Sequence, residues 1–150
     1  MPSIQEQIIE QAKALILASG SPAADRVYRS RTQAIQRAET PAIVIRPDLE
    51  TTERESEEVD RNQLELSVEI LARESPDGTV PWDSLADQVK VAVHAALMAD
   101  NAFPQADRVQ RFYIDWVEEE GDNTAGNCMV RYRFIYLSSS YDLTTGPTYY

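Results

Sequence analysis

An enzyme built on this chain would draw its acid–base or nucleophilic groups from His94, Cys128 or a carboxylate pair such as Glu118 with Asp122. His94 has no cysteine, serine or acidic partner at helical spacing, so it reads as a surface or boundary histidine. Cys128 shares the alternation of Val130 and Tyr132, which predicts a buried thiol acting as a small hydrophobe. Glu118 and Asp122 fall in and beside a polar turn containing Gly121-Asp122-Asn123. Exposed acids in a turn are solvated, whereas catalytic acids need burial and neighbours that shift their pKa. One cysteine excludes a disulfide within the chain, and with one histidine a zinc site would need several carboxylates. There is no phosphate-binding glycine loop and no internal repeat. The expectation is a protein without catalytic residues, metal or cofactor, acting through its shape and surface.

The elements that must position that surface follow from a change of hydrophobic period. Ser3 with Glu6 has the form of a capping box, and Gly20 is a good terminator. Between them Ile4, Ile8, Ala12, Leu15 and Ile16 recur at helical spacing, giving a helix from about Ser3 to Ser19. Val27–Arg31 reads as a short polar strand. Ala42–Arg46 reads as an apolar strand stopped by Pro47, which cannot donate to a sheet ladder. In Asn62–Arg73 the apolar Leu64, Leu66, Val68 and Ile70 alternate with Glu65, Ser67 and Glu69. After the turn Ser75-Pro76-Asp77-Gly78, a second helix starts near Pro81 with the stripe Trp82, Leu85, Ala86, Val89, Val93, Ala96 and Leu97.

Two long strands close the order, about Arg108–Glu118 and Asn127–Leu137. In the first, Phe112, Ile114 and Trp116 alternate with Arg111, Tyr113 and Asp115. In the second, Val130, Tyr132, Phe134 and Tyr136 alternate with Arg131, Arg133 and Ile135. A period of two puts successive side chains on opposite faces. The prediction is an α+β domain of order α-β-β-β-α-β-β, a mainly antiparallel sheet with two helices on one face and the other face partly polar. Val68, Ile70, Ile114, Trp116, Tyr132 and Phe134 are the expected core of that sheet.

At 150 residues and 43% hydrophobic composition the chain fits one domain, spanning 1–138. Residues 139–150 are expected to form a flexible or partner-anchored tail, in which tyrosines such as Tyr149 and Tyr150 offer contact area at little entropic cost. No apolar run is long enough to span a bilayer, and Met1–Glu6 lacks the start of a signal peptide. That predicts synthesis and use in a cytoplasm. The net charge of −11, from 25 acidic and 14 basic residues, opposes binding to free nucleic acid. It suits solubility, and equally a surface that must not hold DNA passing nearby.

The acidic concentration lies between Asp48 and Asp60, with Glu50, Glu53, Glu55, Glu57 and Glu58 opposed only by Arg54. Two readings stand: a solvated hairpin tip, or a mobile arm that orders against a partner's arginines. Arg29, Arg31, Arg131 and Arg133 are the candidates to meet it. The same arginines could instead form cross-strand pairs within one subunit, each worth about 0.2–1 kcal/mol.

The order of elements resembles the tail terminator (tail-completion) proteins of long-tailed bacteriophages. The carriers are VYRSR at 27–31, TPAIVIRP at 40–47, the acidic turn into NQLELSVEILAR at 62–73, LADQVKVAVHAAL at 85–97 and VRYRFIYL at 130–137. The resemblance implies a homo-oligomeric ring, commonly a hexamer, that caps the tail-tube protein and stops its growth. It also implies a docking surface for a head-completion or connector protein, with DNA passing through the lumen without specific binding. The place implied is the virion tail or neck, reached from the host cytoplasm during assembly, without cofactor or membrane. The interface residues expected on this reading are Arg29, Arg31, Glu50, Glu53, Glu55, Glu57, Glu58, Arg131, Arg133, Tyr149 and Tyr150. The alternative is a cytoplasmic adaptor or binding module of the same helix-on-sheet build.

Overall fold

The computed structural model describes residues 2–119 and 121–147, apart from the side chains of Asp122 and Asn123. Helix α1 spans Ile4–Leu17, strand β1 Val27–Arg29, β2 Ala42–Arg54, β3 Val59–Arg73, helix α2 Trp82–Leu97, β4 Arg108–Glu119 and β5 Asp122–Ser139. The strands form one sheet in the order β1-β2-β3-β5-β4. All neighbours are antiparallel except β1, which runs parallel to β2 over three residues. The fold is α+β, with the helices on one face.

Register explains the core. Leu64, Leu66, Val68 and Ile70 of β3 lie beside Phe134, Tyr132, Val130 and Cys128 of β5, and all eight are fully buried. Ile43 and Ile45 of β2 extend the same face. Helix α1 lays Ile4, Ile8, Ile9, Ala12 and Ile16 against it, and α2 lays Ala86, Val89, Val93 and Leu97. The Phe103 ring meets Phe134 edge-on at 4.8 Å. Gly126 lies directly under Trp82: a Cβ there would stand 2.5 Å from the indole ring.

The Ser3 hydroxyl caps α1 by accepting the Glu6 amide at 3.1 Å. The Glu6 carboxylate does not return the bond; it is taken by Arg29. The helix ends at Leu17, before Gly20.

Several sequence expectations change. Pro47 does not stop its strand: β2 continues to Arg54, with a bulge between Pro47 and Leu49. Among the described residues of one subunit no strand covers β2 on that side, so the missing proline N–H leaves no ladder bond unmade there. The stretch from Asp48 to Asp60 is a β2–β3 hairpin, not a mobile arm, with Leu49 to Arg54 paired against Glu65 to Asp60. Its turn closes where the Glu55 and Ser56 amides donate to the Val59 carbonyl.

A bulge between Arg111 and Tyr113 breaks the alternation of β4. Phe112 consequently joins Tyr113 on the helix-free face, and Arg111 takes the helix side beside Tyr132. Trp116 is on the helix side, next to Trp82, yet 41% exposed, so it is not a core residue; Ile114 is half-buried. The segment after Ser139 is tied by backbone hydrogen bonds at Ser140, Leu143 and Thr145. The Ser140 amide donates to Glu58, the Ser139 amide to Thr145, and the Leu143 carbonyl accepts the Ile4 amide at the start of α1.

Candidate subunit interface

The helix-free face is a lattice of charges set by the pleat of β2, β3 and β5. Arg46 reaches Glu69 at 3.0 Å, Arg133 reaches Glu65 at 3.2 Å, and Arg131 lies 3.3 Å from Asp48. Aromatic rings from β4 lie beneath two of these guanidiniums, Arg133 over Phe112 at 4.3 Å and Arg131 over Tyr113 at 4.8 Å. Asp48 also accepts from the Ser67 hydroxyl, and Asn127 donates to Glu69. The bulge at Asp48 turns that carboxylate onto this face, where Arg131 can meet it.

Arg29 and Arg31 are held elsewhere. Arg29 points to the helix side and binds Glu6 and Glu10 of α1, with contacts of 2.5 and 2.6 Å. Its hydrogen bond to Glu6 raises the guanidinium pKa further and lowers that of Glu6. Arg31 binds Glu39 at 2.7 Å and stacks over Tyr28 at 4.4 Å. Hydrogen bonding from Arg31, then from the Gln36 amide, holds the Glu39 carboxyl down at about 2. All four expected arginines therefore have acidic partners inside the subunit, and none waits for an acidic arm.

The expected acidic residues divide. Glu50 faces the helix side and accepts the Tyr136 hydroxyl. Glu53, Glu55, Glu57 and Glu58 are exposed at the far end of the hairpin. Tyr149 and Tyr150 lie outside the described residues.

The groups with chemical potential serve the fold. His94 is half-buried on α2 and its Nδ1 is 3.0 Å from the Tyr132 hydroxyl, giving that buried phenol a partner. Desolvation, reinforced by Arg111 and Lys90, lowers the His94 pKa. Burial pushes the Cys128 thiol up to about 11, which keeps it protonated and unreactive at neutral pH. Glu118 is exposed, and the Asp122 side chain lies outside the described residues. Among the described residues no group of three or more His, Cys, Asp or Glu is placed to hold a metal. A groove of about 620 Å³ runs between Pro41, Arg73 and Leu85, and neither His94 nor Cys128 lines it.

The strand edges were missed in the sequence. Among the described residues the outer side of β2 beyond Arg46 has no strand beside it, and β4 pairs only with β5. These edges carry Arg54, Arg108, Arg111 and Asp115, all exposed, besides Glu50 and Glu53. The signal was present as charged residues within strand-like runs, but only the sheet order reveals which strands are outermost. No family model matches the chain, and no curated protein matches it either.

Proposed function

We propose that this chain is the structural subunit of a closed ring that caps a phage tail tube, ends its polymerisation and offers the surface to which the head-completion protein docks. The observation that carries the reading is the pair of open sheet edges, β2 beyond Arg46 and β4, on opposite sides of one subunit. A ring is built from heterologous contacts, in which one patch meets a different patch and the rotation closes. An α+β subunit with unlike free edges supplies two such patches. The order of elements supports the same reading, because it is the order in which the chain resembles tail terminators.

The role needs no chemistry. A tube of stacked identical rings has no intrinsic end, so a different subunit must occupy its last interface. An acidic subunit lets DNA pass without capture, since phosphate binding depends on lysine and arginine. The place of action is the virion neck, and no described helix is long and apolar enough to cross a membrane. Removing the gene from its phage tests the role: tails of abnormal length and unjoined heads are expected. Virions of normal length with joined heads would refute it.

A further inference from the structure

Each open edge carries a bulge within its central run, and these two bulges match; a second irregularity of β4, between Glu118 and Glu119, lies at its far end. In β2 the extra residue is Asp48, between Pro47 and Leu49; in β4 it is Phe112, between Arg111 and Tyr113. In both strands two neighbouring residues therefore share the helix-free face, Asp48 with Leu49 and Phe112 with Tyr113. Laying β2 antiparallel to β4 with the bulges opposed puts every residue from Arg46 to Arg54 against one on its own face.

We propose that a second copy of this chain docks edge to edge in this register, residues 46–54 of one copy running antiparallel to residues 107–115 of the next. Arg46 then lies opposite Asp115, Glu50 opposite Arg111, Glu53 opposite Arg108 and Arg54 opposite Asp107. All four charge pairs are of opposite sign. Leu49, 52% exposed in the single subunit, meets Phe112. Pro47 meets Ile114, and there the missing proline N–H leaves one ladder bond of the joint unmade. Among the described residues, Glu53, Arg54, Asp107, Arg108, Arg111 and Asp115 have no side-chain hydrogen bond or ion pair within the subunit, whereas Arg46 and Glu50 already bind Glu69 and the Tyr136 hydroxyl and would share their charge with the second copy. A parallel alignment with matched bulges keeps one opposite pair, Arg54 with Glu118, and sets Glu53 against Val117. Charges, bulges and an edge proline guard a strand against indiscriminate pairing. Here the same devices fit one partner in one register, which makes them selective.

The inference rests on the ring reading and supplies the joint of that ring. Thr51 and Gln110 oppose each other in this register, both on the helix-free face and both exposed. A chain carrying Thr51→Cys and Gln110→Cys, assembled and treated with a short bis-maleimide, should give a covalent ladder of subunits; the native Cys128 is buried and does not compete. Arg108→Glu should raise the concentration needed for assembly roughly tenfold, as an attractive cross-strand pair becomes a repulsive one. Glu53→Arg should do the same, and mixing the two variants should restore assembly, because each then presents the edge that the other lacks. An assembled protein without the 51–110 cross-link, or a mixture that stays apart, overturns the edge register and leaves the ring standing. A chain that is monomeric at every concentration and on tube ends overturns both.

Discussion

Two phenylalanines on opposite faces of the sheet test how the bulge in β4 assigns its side chains. Phe134 is fully buried between the sheet and the helices and meets Phe103 edge-on at 4.8 Å. Phe134→Ala removes that ring and leaves a cavity, a loss of about 3–5 kcal/mol. For a domain whose whole stability is about 5–15 kcal/mol, that is a large share. At about 2–4 °C per kcal/mol, the melting temperature should fall by about 6–20 °C. Phe112, by contrast, is half-buried on the helix-free face, with the Arg133 guanidinium 4.3 Å from its ring centre. Phe112→Ala loses that contact and part of a side chain's burial, about 1–2 kcal/mol. Urea unfolding followed by circular dichroism measures both, with an unchanged slope showing that only stability has moved. Unbroken alternation would put Phe112 in the core with Ile114, and the two substitutions would then cost the same. Equal losses would refute the bulge and with it the facing of every β4 residue before Tyr113.

Two further outcomes follow from close contacts. Gly126→Ala should destabilise the fold and shift tryptophan emission, since its Cβ would stand 2.5 Å from the Trp82 ring and force the indole off the sheet; unchanged emission and melting would show that the ring has room. Acid should weaken the fold through Glu6 and Glu39, whose carboxyls are held below their ordinary 4.5 by hydrogen bonds from Arg29 and Arg31. A depressed folded-state pKa stabilises above the unfolded value and is lost as pH falls through the folded one, so stability should decline from about pH 4.5 towards about pH 2. Glu39→Gln should flatten part of that decline, read from urea midpoints across the range.

Much of the fold was legible because β3 and β5 are half-buried strands, in which Leu64 to Ile70 and Val130 to Tyr136 follow the pleat without interruption. The helices were legible for the same reason at a different period. What failed was local irregularity. A bulge adds one residue and exchanges the faces beyond it, and nothing in Arg111-Phe112-Tyr113 announces it. Pro47 was misread because a proline stops a strand only where its N–H is needed, and that depends on whether another strand lies alongside. The acidic run from Asp48 to Asp60 allowed both a hairpin and a mobile arm, and the pairing with β3 decides for the hairpin. In the hairpin its backbone is bonded to β3 while its glutamates stand in solvent, and Asp48 and Glu50 find Arg131 and Tyr136. The arginines stand out in the sequence by their place in strand-like runs, but their partners Glu6, Glu39, Asp48 and Glu65 are fixed by sheet order and helix docking, which sequence spacing does not encode.

The proposed ring of subunits is open to direct observation. Electron microscopy of the purified protein at high concentration, alongside tails assembled with it, tests this most directly. Closed rings with a central hole, alone or seated on tube ends, are the expected result. Single subunits in solution together with bare tube ends would contradict it.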